Sequence, residues 1–390
     1  RCGRRCSTSL HELPTANQTD KCGVCTGGDA GRFAVTCRVR KLGFLTPAGF
    51  AMIEFEVLGE IGKDNCVAAC VATGTANHRF LLDCGGNCLH ELPRPDLYGM
   101  QAVFFSHFHF DHYAGFDELL RAVWCRPGPL LQIVGPPGTC RIIQHRLLGY
   151  LWNNAVGLPG GFRVSEFDGK QLRTIRLLTT ERFEIAHEEP PVETTGLVLQ
   201  HEDFSVHALL LDHGTECLGY RIQEPPKQSI NVIRLEALGY RAGPWLKAVR
   251  DPLLSGSNTV DVDGVPRLLS DLRQELLITR CGSSLGYLTD FRADNPEVRE
   301  QLRQLFRNVD TLICENNYRD AERDLALRNF HLTATEVGTL AVELQPQQLV
   351  LFHVSDRYSC AELQEQLQEV RGYFPNANFP KSWQGRISEG

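Results

Sequence analysis

The sequence predicts an α/β fold over residues 52–390, with strands and helices interleaved and no long linker between them. The segment MIEFEVLG alternates apolar and polar residues as a first strand does, and further short apolar runs recur along the chain. Between several of these runs lie segments with the caps that mark helices. Apolar residues make up 42% and charged residues 22% of the chain, which is the composition of a globular protein.

The composition changes near Met52, which divides the chain into two parts. Residues 1–51 are rich in Gly, Thr, Arg and Cys and carry eight Lys or Arg against three acids, or +5, so the total of −7 leaves −12 on the remainder. Such a remainder is not an obvious binder of polyanions. We expect residues 1–51 to be an N-terminal extension that is disordered or translated from upstream of the true start, and residues 52–390 to be one domain. The alternative for the extension is a small zinc knuckle at Cys2, Cys6, Cys22 and Cys25, although their spacing matches no standard zinc ribbon.

Cysteine usage and hydropathy predict a cytoplasmic protein. The fifteen cysteines are scattered through apparent strands and helices, which suits reduced and mostly buried thiols better than a disulfide framework. No continuous apolar stretch of the signal-peptide type follows the N-terminus, and no apolar run approaches the roughly 20 residues of a membrane span. We therefore expect no membrane association.

Caps and apolar runs place the other predicted elements in chain order. An apolar strand runs from Ala102 to Phe105, and a helix begins near Phe116. Three helices of the C-terminal part are marked by residues that cap or end helices. They are EVREQLRQLF after the pair Asn295 and Pro296, a helix from about Thr335 to Leu344 that Pro346 ends, and a helix from the capping box of Ser359 and Glu362 to Gly372.

A cluster of possible metal ligands follows the first of these apolar strands. The segment SHFHFDH places His107, His109, Asp111 and His112 on one tight turn. Imidazoles and a carboxylate suit zinc and its neighbours in the first transition row. The two-residue spacing lets His107 and His109 point at one ion while Asp111 and His112 reach a second. Surface histidines that cluster by chance are the alternative.

Further ligand candidates have the same position relative to a strand. Each follows the carboxyl end of an apolar run, the edge at which sites in α/β sheets are assembled. They are Asp212 and His213 after FSVHALLL, Asp290 at the end of SSLGYLTD, Glu315 at the end of TLICE, and His353 at the end of QQLVLFH. We expect these residues to converge on the site that the histidine turn begins.

These motifs, in this order, resemble those of ribonuclease Z, the tRNA 3′-processing branch of the metallo-β-lactamase superfamily. SHFHFDH is similar to the histidine motif of that family, LLDHGTECLGYRI to its third-histidine segment, and GYLTDF to the segment of its bridging aspartate. ENNY with NFHLTA resembles its glutamate and histidine pair, and FHVSDRY its final histidine segment. The resemblance covers about residues 52–380. It implies a metallo-β-lactamase αββα sandwich, with two mixed β-sheets flanked by helices, and a metal-dependent hydrolase of phosphodiester bonds.

The resemblance also implies two divalent metal ions, with zinc as the first choice and Mn²⁺ or Fe²⁺ as alternatives. By this resemblance, His107, His109 and His213 hold one ion, Asp111, His112 and His353 hold the other, and Asp290 bridges them. Two cations that share a carboxylate can lower the pKa of a bridging water toward neutrality and neutralise charge on a phosphoryl oxygen. The resulting hydroxide would attack in line.

Three residues are expected to act on protons. Asp111 is placed to orient the attacking water or to take its proton, and Glu315 to hold His331 so that the imidazolium meets the departing oxygen. The alternative for His331 is a histidine that merely precedes a helix. Arg357 and Tyr358 are expected to brace the last ligand loop rather than contact substrate.

The implied substrate is RNA, a precursor tRNA, and a homodimer is left open. The family's basic arm is matched only by GLPGGFRVSEFDGKQLRTIRL, which is short for such a device, while LGEIGKDN and LLDCGGNC keep part of two N-terminal family motifs. A phosphodiesterase or other hydrolase for a small substrate and a non-catalytic binding module are the alternatives. His145, His187, His201 and His207 lack ligand-like spacing and are interpreted as surface or packing residues.

Overall fold

The computed structural model describes residues 53–73 and 75–389. The predicted N-terminal extension and the four cysteines of the alternative zinc knuckle lie outside these residues, so both stay predictions. Within the described residues, strands and helices alternate along the chain, as the predicted α/β class requires.

The first sheet contains eight strands that are arranged in their order along the chain. They are β1 (Glu54–Leu58), β2 (Cys66–Ala72), β3 (Asn77–Leu82), β4 (Met100–Phe104), β5 (Leu131–Gly135), β6 (Gly161–Phe167), β7 (Gln171–Leu178) and β8 (Ala186–Glu193). Strands β3 to β6 are parallel to one another, and the outer strands pair antiparallel, so the sheet is mixed.

The second sheet contains seven strands, and two small sheets interrupt their sequence. The strands of the second sheet are β9 (Leu197–Gln200), β10 (Ser205–Asp212), β11 (Glu216–Gln223), β16 (Ser284–Leu288), β17 (Thr311–Glu315), β18 (Gln348–Phe352) and β19 (Ala377–Asn378). The small sheets pair β12 (Lys227–Ile230) with β15 (Leu277–Arg280), and β13 (Thr259–Val262) with β14 (Val265–Leu268). Strands β16 to β19 are parallel, and β10 runs in their direction because β10 and β16 both pair antiparallel with β11.

Twelve α-helices of at least four residues accompany the strands in the described part of the chain. They are α1 (Arg94–Tyr98), α2 (Phe110–Tyr113), α3 (Phe116–Val123), α4 (Thr139–Leu148), α5 (Val232–Ala237), α6 (Trp245–Arg250), α7 (Leu269–Leu276), α8 (Pro296–Phe306), α9 (Arg323–Arg328), α10 (Ala334–Leu344), α11 (Cys360–Tyr373) and α12 (Lys381–Glu389). Apolar residues of α3 and α4 pack on the outer face of the first sheet. Those of α8, α10 and α11 pack with the second sheet.

Alternation along the strands divides the apolar residues between two cores. In β4, Ala102 and Phe104 belong to the core that both sheets share, whereas Val103 belongs to the core beneath α3 and α4. Successive side chains of a strand point to opposite faces, so one short apolar strand serves both layers. The result is two mixed sheets packed face to face with helices outside, and the predicted αββα sandwich is confirmed.

A lobe with a core of its own lies between β11 and β16 in the sequence. We call the stretch Lys227–Arg280 the insertion lobe; it holds the two small sheets and helices α5 to α7. Its core consists of six buried residues, Leu235, Val249, Val262, Leu269, Leu272 and Leu276. No predicted boundary separates this lobe from the rest of the domain.

Predicted elements are confirmed where caps mark them. Asn295 accepts the N–H of Glu297 at the start of α8, and Ser359 and Glu362 make both bonds of the capping box of α11. The segment GLPGGFRVSEFDGKQLRTIRL is no arm but supplies β6 and β7, because its alternating apolar residues, Phe162 and Val164 among them, are buried in the sheet. The ten cysteines of the described residues are free thiols, and most are buried, as predicted. Among these residues no helix is long and apolar enough to span a bilayer.

Candidate metal centre

The carboxyl ends of strands from both sheets meet at one edge of the sandwich, and the predicted ligands lie there. The histidine turn follows β4 and enters α2, while His213, Asp290 and His353 follow β10, β16 and β18. The Tyr220 hydroxyl of β11 donates to the carbonyl of Phe105 at 2.7 Å, which ties the second sheet to the end of β4. All seven predicted ligands are therefore brought to one site.

Three residues at this edge have a left-handed backbone. The φ angle is 59° for Asp83, 52° for Asp290 and 49° for His353. For a residue with a side chain this conformation costs about 1 kcal/mol or more. It persists where surrounding contacts determine it, and such residues concentrate at functional sites.

His107, His109 and His213 form the first group of ligand atoms, which lie within 4.8 Å of one another. The ring centroid of His107 is 4.4 Å from that of His109 and 5.0 Å from that of His213. The Nε2 atom of His107 is buried and has no hydrogen-bond partner among the described residues. Burial, followed by the neighbouring His112, lowers the pKa of His107 to about 2, so its imidazole is neutral and keeps a free lone pair.

Asp111, His112 and His353 form the second group. The Nε2 atom of His353 lies 3.3 Å from Asp111 Oδ2 and 3.2 Å from His112 Nε2. Burial by itself raises the pKa of Asp111, but hydrogen bonds from His112 and His353 hold it well below its usual range. The group is an ionised carboxylate between two imidazoles.

Asp290 lies between the two groups. Its Oδ2 is 2.8 Å from His112 Nε2 and its Oδ1 is 3.4 Å from His353 Nδ1, and it also forms a group with His107 and His112. Burial raises the pKa of Asp290, yet the charges of His353 and His112 hold it well below its usual range. A buried, ionised carboxylate in contact with both groups has the position that a bridging ligand needs.

The donor set fits the two divalent ions that the sequence predicts. Five imidazoles and two carboxylates are the ligands that zinc and its neighbours prefer. Two observations favour cations over a purely hydrogen-bonded cluster. The buried Nε2 of His107 has no partner among the described residues, and the Nε2 atoms of His112 and His353 face each other at 3.2 Å.

In His112 and His213, the ring nitrogen opposite Nε2 is held by an oxygen atom. His112 Nδ1 is 2.8 Å from Asp83 Oδ2, and His213 Nδ1 donates to the carbonyl of Phe330 at 3.0 Å. When Nδ1 carries the proton, Nε2 keeps the lone pair that a metal requires. Both rings are thus oriented with Nε2 as the available atom.

Asp83 is a site residue that the sequence analysis missed. It directly follows β3, is fully buried, and accepts from His112, from the Tyr287 hydroxyl at 2.7 Å, and from the backbone and hydroxyl of Ser106 at 2.6 Å each. Its contact is with a ligand residue rather than with a substrate, so it is a positioning residue. The signal was present, since Asp83 follows the apolar run RFLL just as the other site residues follow theirs.

Glu315 and His331 form a hydrogen-bonded pair next to Asp290. His331 Nδ1 lies 2.7 Å from Glu315 Oε2 and 3.2 Å from Asp290 Oδ1, and the other Glu315 oxygen accepts the N–H of Phe291 at 3.0 Å. Burial lowers the pKa of His331, but the charge and hydrogen bond of Glu315 outweigh it and raise this pKa to about 9. The imidazole is therefore held and protonated at neutral pH.

Arg357 and Tyr358 make contacts within the loops beside His353. The Arg357 guanidinium lies 4.6 Å from the ring centroid of Tyr318, and its Nε donates to Ser355 Oγ at 3.0 Å. The Tyr358 hydroxyl accepts the N–H of Arg319 and donates to Glu322. These contacts agree with the bracing role expected for both residues.

Comparison with known proteins identifies the family. A family profile described as a beta-lactamase superfamily domain matches residues 78–230. The ribonuclease Z of Deinococcus radiodurans is 39% identical over 332 residues, which are 85% of this chain and 99% of that protein. The chain belongs to the ribonuclease Z family. The ribonuclease Z of Methanosarcina acetivorans is 26% identical over 82% of this chain and 91% of that protein. Among solved structures, the short form of human tRNase Z matches with 16% identity and a TM-score of 0.43, over 78% of this chain and 93% of that one.

Family membership confirms the sequence prediction of a metal-dependent hydrolase in the ribonuclease Z branch of the metallo-β-lactamase superfamily. The clusters of histidine and carboxylate ligands described above agree with divalent metal ions as cofactors. Which residue of this ribonuclease Z family member holds which ion stays a prediction.

Proposed function

We propose that the protein cleaves precursor tRNA at the 3′ end, using two zinc ions and the Glu315 and His331 pair. The observation that carries this proposal is the position of His331, which touches Asp290 between the two ligand groups. A proton donor and two candidate cation sites thus share one edge of the fold. The name ribonuclease Z of the two relatives described above supports RNA as the substrate.

The seven predicted ligands would hold the two ions as the sequence resemblance implies. One set is His107, His109 and His213, the other is Asp111, His112 and His353, and Asp290 lies between them. When bound, divalent ions supply a lowered pKa for an attacking water and neutralise charge on the scissile phosphate. Asp111 is ionised and partly exposed, so it can orient that water or accept its proton.

His331 would act as the general acid. Glu315 accepts from Nδ1 and fixes the ring, so the proton available for the departing oxygen is the one on Nε2. With a pKa raised to about 9 against the effect of burial, the imidazolium persists at neutral pH. Proton donation to an alkoxide leaving group is worth about 10² to 10⁴ in rate.

Two features of the described chain suit a nucleic acid, one beside the ligands and one in the insertion lobe. Phe110 lies between His109 and Asp111 with its side chain 83% exposed, and an exposed aromatic ring can stack a base of any sequence. The insertion lobe carries eight Lys or Arg against six acids, whereas the net charge of the whole chain is negative. Its exposed basic residues could contact the phosphate backbone of RNA. They are Lys227, Arg234, Arg241, Lys247, Arg250 and Arg267.

The test compares two substrates in two variants. Wild-type protein should release the 3′ trailer of a precursor tRNA and also hydrolyse bis(p-nitrophenyl) phosphate. His331→Ala should lose about 10² to 10⁴ in turnover of the tRNA but much less with the diester, because nitrophenolate needs little protonation to leave. His187→Ala is the matched control, since His187 pairs with Glu181 on the surface. Equal loss on both substrates, or loss of bound metal, would remove the proton-donor role of His331.

Turnover of the small diester without cleavage of any precursor tRNA would favour the alternative of a small-substrate phosphodiesterase. Three points stay predictions: that the metal is zinc and not Mn²⁺ or Fe²⁺, that the protein is cytoplasmic, and that it can form a homodimer. Metal analysis of protein purified without added metal addresses the first of these, and the measured mass in solution addresses the last.

A further inference from the structure

A third cluster of ligand-type side chains lies at the edge of the sandwich opposite the candidate metal centre. It consists of His78 at the start of β3, and of His201 and Asp203 in the turn between β9 and β10. Asp83 follows the other end of β3, on the side of the metal centre. A strand rises about 3.3 Å per residue, so the two ends of β3 lie about 16 Å apart.

The three side chains converge on one point. His78 is only 5% exposed, and its Nε2 lies 2.9 Å from Asp203 Oδ2. His201 Nδ1 lies 3.7 Å from the same carboxylate oxygen. One ligand atom from each residue lies within 4.8 Å of the other two, as in the groups of the candidate metal centre.

The hydrogen bonds of the two histidines indicate which ring nitrogens an ion would use. His78 Nδ1 lies 3.0 Å from Gln101 Oε1, an acceptor, and in the neutral ring with its proton on Nδ1 the Nε2 atom keeps its lone pair. His201 Nδ1 accepts the backbone N–H of Asp203 at 3.1 Å, so it is the unprotonated nitrogen of its ring. In that tautomer the Nε2 lone pair of His78 faces the Asp203 carboxylate oxygen, an arrangement that a cation stabilises, and an ion gains His201 as a third ligand by replacing the Asp203 N–H at Nδ1. A histidine that donates its other nitrogen to an oxygen is the usual partner of a bound metal.

The surroundings of the cluster are apolar on one side and open on the other. The His201 ring stacks on Phe204 at 5.0 Å and 14°, and Phe204 also packs against Phe80 of the core. The side chains of His201 and Asp203 remain partly exposed, which leaves a path for an ion and a place for water among its ligands. Two imidazoles and one carboxylate with an open position suit zinc and neighbouring divalent ions.

We propose that His78, His201 and Asp203 bind a third divalent transition-metal ion, zinc in the first place, which links β3 of the first sheet to the β9–β10 turn of the second. The site takes no part in the reaction at the opposite edge. Its role is structural, because an ion that binds only the folded state raises stability by mass action. His201, expected from its spacing to be a surface or packing residue, becomes a ligand.

The experiment counts zinc ions per chain in the full-length protein after equilibration with zinc and removal of unbound metal. His201→Gln should carry one ion fewer than wild type, while hydrolysis of bis(p-nitrophenyl) phosphate stays within about twofold, since the catalytic edge lies about 16 Å away. Asp203→Asn is the second variant and should lose the same ion. His187→Gln is the matched control, because His187 also pairs with a carboxylate but has no third ligand nearby among the described residues.

Thermal unfolding distinguishes a zinc ion bound by the cluster from a protonated His78 that pairs with Asp203. Zinc should raise the melting temperature of His201→Gln less than that of wild type and of His187→Gln, and the difference between variants should vanish in chelator. An equal zinc count in wild type and in both cluster variants would overturn the proposal. A loss of stability that persists in chelator without loss of an ion would do so as well, because it would point to a protonated His78 paired with Asp203.

Discussion

Replacing Asp83 by asparagine should weaken both metal binding and the fold. The Asp83 carboxylate accepts one hydrogen bond at Oδ1, from the N–H of Ser106, and three at Oδ2, from the Ser106 hydroxyl, His112 Nδ1 and the Tyr287 hydroxyl. The N–H of Ser106 can only donate, so the amide oxygen of asparagine stays at the Oδ1 position. The amide nitrogen then takes the place of Oδ2 and meets the other three donors. The two hydroxyls can rotate to accept from it. His112 can accept only if its proton moves to Nε2, the nitrogen that faces Asp290.

The loss of stability and the loss of metal affinity have separate causes, and each can be given a magnitude. Hydrogen bonds to a buried charge contribute roughly 1.5–3 kcal/mol each, and the rotated hydroxyls recover part of this, so the free energy of unfolding in chelator should fall by about 2–4 kcal/mol. A histidine with its proton on Nε2 offers no lone pair to an ion. Loss of such an orienting partner typically lowers metal affinity about 10- to 100-fold.

The assay combines urea unfolding in chelator with zinc titration against a chromophoric chelator. Tyr287→Phe is the matched control, because it removes one hydrogen bond from the same oxygen and leaves His112 bound to Asp83. It should cost about 1 kcal/mol of stability and leave zinc affinity unchanged. If Asp83→Asn bound zinc as tightly as Tyr287→Phe does, the assignment of Asp83 as the residue that orients His112 would be refuted.

Three further predictions concern the proton donor, a ligand and the N-terminal part of the chain. Glu315→Gln should move the alkaline fall of kcat/KM to lower pH, because it removes the charge that, against burial, raises the pKa of His331 to about 9; an unchanged pH profile would contradict the orienting role of Glu315. His107→Ala should lose bound metal by elemental analysis yet destabilise the metal-free protein by less than about 2 kcal/mol, since the buried Nε2 that it removes has no partner among the described residues; retention of both ions would exclude His107 as a ligand. Deletion of residues 1–51 should leave the melting temperature and diester turnover nearly unchanged, because the described core begins at Ile53, and a collapse of soluble expression would argue against this.

Local signals in the sequence are sufficient for the elements that depend on neighbours a few residues away. The capping box of Ser359 and Glu362 and the cap at Asn295 involve contacts within four residues, and both helices begin where these residues predict. The rule that ligands follow apolar strands placed Asp290 and His353 correctly at one edge. The same rule would also have found Asp83, which was overlooked because its partners, unlike those of the histidine turn, are far away in sequence.

Contacts between distant segments could not be derived from spacing. The insertion lobe forms because six apolar residues between Leu235 and Leu276 pack on one another instead of on the sheets, and no period in the sequence distinguishes the two cases. The segment around Phe162, considered for a basic arm, completes the first sheet because β5 and β7 lie on either side of it. His201 was interpreted as a packing residue because its partner His78 lies more than a hundred residues away.

The sequence by itself therefore determined the α/β class, the capped helices, the ligand types and, through its order of motifs, the ribonuclease Z family. These follow from residue chemistry and from periodicities that extend over one helix or one strand. Only the tertiary structure decided that Asp83 holds His112, that the predicted pair of Glu315 and His331 lies against Asp290, and that His78 meets Asp203 at the opposite edge. Each of these contacts joins two strands or loops whose approach is set by the packing of one sheet on the other, which depends on many side chains at once and not on any one segment.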